Sequence, residues 1–268
     1  MDYIRVLPKN LLSQAIGSLV SIEHPESLAR KARDWFIKRY QINMAEAELP
    51  LESYPSISKL FTRKLKPGIR PIGDGIVHPC DAFLSCADEI DYDTLIQAKG
   101  KKYSLSKLLA NDKAPQIYTG GSHLVYYLCP TDYHRVHSPV DGEVTKVTHV
   151  PGKLWPVNVW SVQNIDELFS VNERVIFHIE TALGPVELVM VGATNVGKIT
   201  VSFDEEIVSN RVGQSHVPFV KSYLKPIKVS KGDELGVFNM GSTVVMIYPH
   251  GMLSVLPRLH KVKLGESV

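Results

Sequence analysis

The sequence predicts an α+β protein, in which an N-terminal helical layer precedes a β-rich core of mainly antiparallel strands. Helical periodicity is confined to residues 8–40. From Ile76 onward, short apolar or alternating segments are separated by Gly, Pro, Asn and Asp, a pattern typical of strands and turns. No internal repeat or low-complexity segment interrupts the 268 residues, and no linker clearly divides the β-rich part into two folding units.

The first element is a short amphipathic helix over residues 8–22, where Leu12, Ile16 and Leu19 follow helical spacing. A second helix is expected from about residue 26 to residue 40. Its predicted apolar face consists of Leu28, Ala32, Trp35, Phe36 and Tyr40, and its basic residues are Arg30, Lys31, Arg33, Lys38 and Arg39. Two interpretations stay open. Either the helices cover the core and their basic face is exposed to solvent, or this basic face lies on a surface of anionic lipid.

We assign residues 1–46 to this helical segment and residues 47–268 to a β-rich catalytic domain, which begins with a Pro- and Gly-rich connector over residues 47–75. Helical interruptions are expected near residues 104–110 and 166–170. The predicted strands are 76–78, 83–87, 95–98, 124–129, 143–149, 175–180, 186–191, 198–203, 234–238 and 243–248.

Composition restricts the class of protein. Apolar residues make up 44% and charged residues 22%, which is ordinary for a globular domain, and a net charge of +2 predicts no nucleic-acid partner. The three cysteines, Cys80, Cys86 and Cys129, are an odd number without paired spacing, which argues against a disulfide framework and fits a reducing compartment. No apolar run approaches the ~20 residues of a transmembrane helix, and Lys9 and Gln14 interrupt the N-terminal apolar stretch, which argues against a cleavable signal.

The pair Gly241-Ser242 lies between two apolar runs near the C-terminus, and its local pattern predicts the tight turn of a β-hairpin. Asp81, one of the histidines His134 and His137, and Ser242 supply the parts of an activated hydroxyl, because a histidine takes the serine proton and a carboxylate orients the histidine. A Ser-His-Asp hydrolase that uses Ser242 on an external substrate is therefore one alternative, although the Gly-x-Ser-x-Gly elbow is absent.

The histidines His134 and His137 are separated by two residues, and Cys129 precedes them. This set lacks the paired spacings of a zinc site, so no metal is predicted. A structural histidine bonded to a carbonyl group is the simpler alternative for either ring.

Two stretches in combination are specific for one family: Tyr133-His134-Arg135-Val136-His137, and Gly241-Ser242-Thr243 near the C-terminus. Through them the chain resembles the phosphatidylserine decarboxylase proenzymes of the bacterial and mitochondrial type, over nearly its whole length. Further matching stretches are residues 61–71, 96–100, 127–137, 150–152, 172–174 and 191–197. The chain departs from the family pattern at Met240, where leucine is usual, and at Cys80-Asp81-Ala82, where Ala-Asp-Gly is frequent.

The resemblance implies that the precursor cuts itself between Gly241 and Ser242. Ser242 attacks the Gly241 carbonyl, and elimination and hydrolysis then convert Ser242 into a pyruvoyl group with release of ammonia. The products are a large β chain, residues 1–241, and a small α chain, residues 242–268, which carries the pyruvoyl cofactor. By resemblance, Asp81, His137 and Ser242 form the charge relay of self-cleavage.

In turnover, the resemblance implies that the pyruvoyl group forms a Schiff base with phosphatidylserine, which loses carbon dioxide and becomes phosphatidylethanolamine. His134 is the proton donor that the family pattern suggests, and its ordinary pKa near working pH suits this role. The basic residues Arg63, Lys64 and Lys66 are candidates for contact with lipid phosphate.

The implied partners are phosphatidylserine, a membrane surface, the cleaved small chain and a second copy of the enzyme. The implied location is peripheral, at the cytoplasmic face of the cell membrane. Besides the hydrolase, two alternatives stay open: a non-enzymatic β-domain in which residues 240–243 are only a turn, and a pyruvoyl decarboxylase of a soluble amino acid.

Overall fold

The computed structural model describes residues 9–98, 101–194, 198–211, 213, 215–239 and 243–268. Met240, Gly241 and Ser242, and so the predicted cleavage site, lie outside the described residues. The same holds for residue 8 of the predicted first helix and for 99–100 and 195–197 of the stretches that match the family.

The N-terminal layer contains helix α1 (Lys9–Val20), helix α2 (Glu26–Tyr40), two 3₁₀ turns (Met44–Glu46 and Leu51–Ser53) and the short helix α3 (Ile57–Phe61). Its apolar side chains form a cluster of their own. The buried members of this cluster are Phe36, Ile42, Ala47, Tyr54, Leu60 and Phe61. The layer thus extends across the segment that the sequence predicts as a connector.

Helix α2 does not bury the face that the sequence predicts. Ala29, Arg33 and Phe36 are buried, whereas Leu28 and Trp35 are 59% and 60% exposed. Arg33 stays inside because its guanidinium donates to the Leu51 carbonyl at 3.0 Å and to the Tyr54 carbonyl at 2.9 Å. The Arg33 side chain, whose guanidinium is hydrogen-bonded, therefore occupies a buried position where an apolar residue would be expected.

An eight-stranded sheet forms the centre of the molecule, in the order β11-β6-β7-β8-β13-β4-β1-β14. The pairs between neighbouring strands are antiparallel. The strands are β1 (Ala82–Glu89), β4 (Ser122–Tyr127), β6 (Gly142–Val150), β7 (Arg174–Thr181), β8 (Gly184–Val191), β11 (Phe219–Val229), β13 (Thr243–Tyr248) and β14 (Lys261–Val262).

Both faces of this sheet are covered, which explains why its central strands are apolar runs without alternation. In β13, Val244 and Met246 enter one buried cluster, and Val245 and Ile247 enter a second cluster on the opposite face. Strands β7 and β8 divide their side chains between the same two clusters.

A four-stranded antiparallel sheet, β10-β9-β12-β5, packs beside the central sheet, and β2 pairs with β3. Short helices α4 to α7 connect the strands. The strands are β2 (Thr94–Ala98), β3 (Lys101–Ser104), β5 (Arg135–His137), β9 (Ile199–Val201), β10 (Asp204–Val208) and β12 (Glu234–Phe238). The helices are α4 (Leu105–Leu109), α5 (Ala114–Tyr118), α6 (Val159–Asn164) and α7 (Leu168–Val171).

The prediction of an α+β fold with mainly antiparallel strands is confirmed, and strands β12 and β13 have the predicted bounds. The predicted hairpin at Gly241-Ser242 is wrong, because β12 belongs to the four-stranded sheet and β13 to the eight-stranded sheet. The chain changes sheets between these two strands. Residues 76–78 form only an isolated bridge at Val77, not a strand.

Within the described residues, no helix is both long and apolar enough to cross a membrane.

Candidate active site

Two described residues flank the predicted cleavage site, and both lie against the strands of the family motif. The Phe238 N–H donates to the His134 carbonyl at 3.0 Å, so the end of β12 lies beside the start of β5. Thr243, the first residue of β13, pairs with Tyr127 on one side and with Val191 on the other. The chain therefore enters and leaves residues 240–242 close to the segment that carries both motif histidines.

The ring of His137 is held by two hydrogen bonds. Its Nδ1 lies 2.7 Å from the Gly232 carbonyl oxygen, and its Nε2 lies 3.1 Å from the Tyr133 hydroxyl. Because a carbonyl only accepts, Nδ1 carries the proton, and Nε2 of the neutral ring accepts from Tyr133. Burial lowers the pKa of His137, and the contact with Gly232 and the charges of Glu234 and Asp81 oppose this shift only in part.

Asp81 lies near His137 but bonds to other groups. The Pro79 carbonyl accepts from the His137 N–H at 2.9 Å, which brings the two segments together. The Asp81 carboxylate accepts from Arg70 Nε at 3.0 Å and Nη2 at 2.6 Å, and from the Leu264 N–H at 2.9 Å. Among the described residues, Asp81 and His137 form no hydrogen bond with each other, and the contact that orients His137 comes from the Gly232 carbonyl.

Arg70 connects this carboxylate to the N-terminal layer. Its Nη2 also donates to Glu46 Oε2 at 2.7 Å, so one guanidinium bridges two acidic side chains. The side chains of Arg70 and Asp81 are 9% and 7% exposed, which makes their bidentate pair strong and costly to break. Arg70 therefore fixes the position of the Asp81 carboxylate and compensates its negative charge.

His134 is completely buried, and only one of its two ring nitrogens has a hydrogen-bond partner among the described residues. Nδ1 lies 2.8 Å from the Asp132 carbonyl oxygen, whereas Nε2 is buried and has no hydrogen-bond partner among the described residues. The ring packs against Phe61 of α3, with 3.8 Å between ring centroids. Burial lowers the pKa of His134 to about 3, and the nearby charge of Arg63 adds to this shift.

The expectation of an ordinary pKa for His134 is therefore wrong: burial keeps the ring neutral near pH 7, because it disfavours the charged form. The hydroxyl of Thr243, next to the predicted cleavage site, is also buried and has no hydrogen-bond partner in the part of the chain that the structure describes. Among the described residues, no group of three or more His, Cys, Asp and Glu side chains is placed to hold a metal ion.

Sequence reasoning missed three participants: Tyr133, Gly232 and Arg70. Tyr133 stands inside the matched motif, so its position gave a signal that was not used. Gly232 and Arg70 are distant from the motif in sequence and meet it only through the fold. Lys64 and Lys66 are exposed, whereas Arg63 is buried.

Comparisons with known proteins show the family to which the sequence is similar. The family profile described as phosphatidylserine decarboxylase matches residues 57–268. A phosphatidylserine decarboxylase proenzyme of Myxococcus xanthus (strain DK1622) is 40% identical over 92% of this chain and 88% of the relative. Proteins of the same name from Anaeromyxobacter sp. (strain K) and Hahella chejuensis (strain KCTC 2396) are 40% and 41% identical, over 99% and 97% of this chain and 95% and 90% of the relatives.

The depressed pKa of His134 predicts a pH dependence of stability. The unfolded ring binds a proton near pH 6.5, but the folded ring does so only near pH 3, so stability falls as the pH falls between these values. We expect the free energy of unfolding of His134→Gln to fall less steeply on acidification than that of the wild type, by up to about 1.4 kcal/mol per pH unit. Urea unfolding at a series of pH values measures it.

A matched control is His216→Gln, because the His216 side chain is exposed and should leave the pH dependence as it is. If wild type and His134→Gln lose stability equally on acidification, the buried neutral state of His134 is contradicted.

Proposed function

Since the chain belongs to the phosphatidylserine decarboxylase family, we propose that it is a proenzyme that makes a pyruvoyl cofactor from its own Ser242. Its reaction is the decarboxylation of phosphatidylserine to phosphatidylethanolamine, so it is a carboxy-lyase. The observation that carries the site assignment is the buried, unpaired Nε2 of His134, on the segment that bonds to the end of β12. The hydrolase alternative has no support from the relatives.

For self-cleavage, we assign the base to His137. The Ser242 hydroxyl adds to the Gly241 carbonyl, and its proton passes to His137 Nε2 through the Tyr133 hydroxyl that contacts this nitrogen. The Gly232 carbonyl holds the ring in the tautomer that leaves Nε2 free to accept. Asp81 contributes its charge, which favours the protonated form of His137.

The described residues fit a pyruvoyl group at position 242. The Thr243 hydroxyl, which has no partner among the described residues, is adjacent to it in sequence, and the His134 backbone bonds to Phe238 at the end of β12. When present, the group supplies a ketone that reacts with the serine amine and draws off the electron pair left by carbon dioxide. Glycine at 241 leaves its carbonyl open to attack, because it has no side chain.

His134 is the group that we assign to proton return. Its Nδ1 stays bonded to the Asp132 carbonyl, so the ring keeps one orientation while Nε2 gains and loses a proton. Phe61 packs on the ring and keeps water from it. The anionic substrate raises the proton affinity of the ring on binding, because a nearby negative charge favours the protonated form.

The small chain remains bound after cleavage. Strand β13 lies between β8 and β4, and β14 pairs with β1, so residues 243–268 contribute a central strand and an edge strand of the main sheet. Six consecutive residues of β13 are buried. The two chains therefore form a permanent heterodimer, and a further homodimer, which the resemblance implies, stays a prediction.

We propose that the N-terminal layer faces the membrane. Leu19, Leu28 and Trp35 are 66%, 59% and 60% exposed on α1 and α2, and the charged Arg30, Lys31, Lys38 and Arg39 of α2 are exposed as well. Exposed apolar and aromatic side chains on a helix with exposed basic residues suit the headgroup region of an anionic bilayer. The same layer contacts His134 through Phe61. Peripheral binding at the cytoplasmic face is part of this proposal.

The first test is the mass of the purified chain under denaturing conditions. We expect two pieces, residues 1–241 and 242–268, with the smaller one blocked to Edman degradation because its first residue is a ketone. Ser242→Ala should remain one inactive chain. Ser254→Ala, at an exposed serine, serves as control and should be cut normally. An intact single chain with full decarboxylase activity would exclude the proposal.

The second test separates the two histidines. His137→Ala should remain uncut, because the base of self-cleavage is lost, and Tyr133→Phe should be cut more slowly. His134→Ala should be cut but should lose about 10²- to 10⁴-fold in decarboxylation rate, the usual contribution of a general acid. Cleavage is followed by gel electrophoresis and turnover by release of carbon dioxide. Loss of cutting in His134→Ala would mean that the two roles are exchanged.

The third test concerns membrane binding by the N-terminal layer. Replacing Leu28 and Trp35 together by alanine should weaken binding to vesicles of phosphatidylglycerol and phosphatidylcholine by roughly 10-fold per side chain, since each loses about 1.5 kcal/mol of apolar burial. Turnover of a water-soluble glycerophosphoserine should stay the same. Leu183→Ala is the control, because Leu183 is 71% exposed on the remote β7–β8 turn. Equal loss of binding in this control would argue against a specific membrane face.

A further inference from the structure

Arg63 is a buried cation: it is 5% exposed, and it forms no ion pair with any carboxylate of the described residues. Burial lowers the pKa of its guanidinium, and the more distant charges of Asp81 and Glu46 oppose this shift. Its terminal nitrogens make long contacts with two carbonyls, of Leu60 at 3.5 Å and of Thr131 at 3.3 Å. Among the described residues, Nε has no hydrogen-bond partner. A charge removed from water in this way is costly unless an anion joins it.

The guanidinium groups of the other buried or half-buried arginines in the described chain have close ion-pair or hydrogen-bond partners. Arg33, Arg70 and Arg135 each pair with a carboxylate, at 2.8, 2.6 and 2.7 Å respectively. Arg174 has no carboxylate, but its three nitrogens donate to the carbonyls of Leu108, Ser170, Asn172 and Lys107. Arg63 therefore differs from its equivalents by the unused hydrogen-bond donor at Nε.

The position of Arg63 is the boundary between the N-terminal layer and the β core. Leu60 belongs to the layer cluster, whereas Thr131 precedes the segment that carries His134. Phe61, two residues before Arg63, packs on the His134 ring. The charge of Arg63 lowers the pKa of His134, which shows that the two side chains interact.

We infer that Arg63 binds the phosphodiester of the phosphatidylserine headgroup, an inference that rests on the proposed function. The substrate carries two anionic groups, a carboxylate and a phosphodiester. Holding the carboxylate with a guanidinium stabilises the ground state more than the transition state, because the negative charge leaves that group as carbon dioxide departs. The phosphodiester keeps its charge throughout, and a guanidinium fork matches its oxygens.

This placement has a consequence for His134. While the site is empty, the charge of Arg63 opposes protonation of the ring. A bound phosphodiester compensates that charge and adds its own, so both effects favour the protonated ring. Substrate binding thereby prepares the proton donor for its step.

The first experiment separates a binding role from a structural one in the full-length Ser242→Ala chain, which cannot mature. We expect Arg63→Met to keep or raise the thermal unfolding temperature, because an apolar chain of similar length replaces an unpaired buried charge. Arg174→Met is the contrasting variant and should be destabilised, since four carbonyls lose their donor. Marked destabilisation by Arg63→Met would identify a structural arginine and overturn the inference.

The second experiment uses water-soluble headgroups and isothermal titration calorimetry on the same chain. Arg63→Met should weaken binding of glycerophosphoserine and of glycerophosphoethanolamine by a similar factor, about 10- to 100-fold. Arg63→Lys should lose less, because it keeps the charge without the fork. Lys225→Gln is the matched control, because Lys225 is an exposed cation on strand β11, and it should bind both headgroups like its parent.

The two headgroups distinguish the anions, because glycerophosphoethanolamine has the phosphodiester and lacks the carboxylate. Weakened binding of glycerophosphoserine alone would assign Arg63 to the carboxylate and overturn the inference. Unchanged binding of both headgroups in Arg63→Met, or failure of both to bind the parent, would overturn it as well. Carbon dioxide release by the wild-type chain tests the proposed function separately, so the two failures are distinguishable.

Discussion

The rest of the structure depends on the position of β13 between β8 and β4 in the main sheet. Its register with both neighbours is continuous from Thr243 to Ile247, and its side chains enter the clusters on both faces of the sheet. The strand before it, β12, belongs to the other sheet. A chain that changes sheets between two well-anchored strands holds the segment between them at both ends. This constraint allows a peptide bond in that segment to be broken without loss of the fold.

A polar boundary joins the N-terminal layer to the β core. Arg70 bridges Glu46 of the layer to Asp81 of the core, and Arg135 donates to the Thr62 carbonyl at 2.8 Å while pairing with Glu234. The apolar cluster of the layer is separate from the two clusters of the sheet. Charge-assisted hydrogen bonds thus define how the layer sits on the core.

Much of the fold was predictable because strand periodicity and turn residues are local signals. Strands β12 and β13 were located to the residue, and α2 was predicted at its observed position. Edge and short strands were missed, among them β5, β11 and β14, because their side chains are half exposed or too few to show alternation. The buried face of α2 was shifted by one residue, because the bonded Arg33 occupies an interior position that polarity alone assigns to the surface.

The sequence by itself determined the family and the reaction, because the motif around His134 and His137 and the Gly-Ser-Thr stretch are contiguous in the chain. Only the tertiary structure decided the partners of the proposed site residues. It placed His137 against Gly232 and Tyr133 and Asp81 against Arg70, and among the described residues it left Nε2 of His134 and Nε of Arg63 without hydrogen-bond partners. Hydrogen bonds and uncompensated charges depend on distances between residues far apart in sequence, and no local pattern encodes those distances.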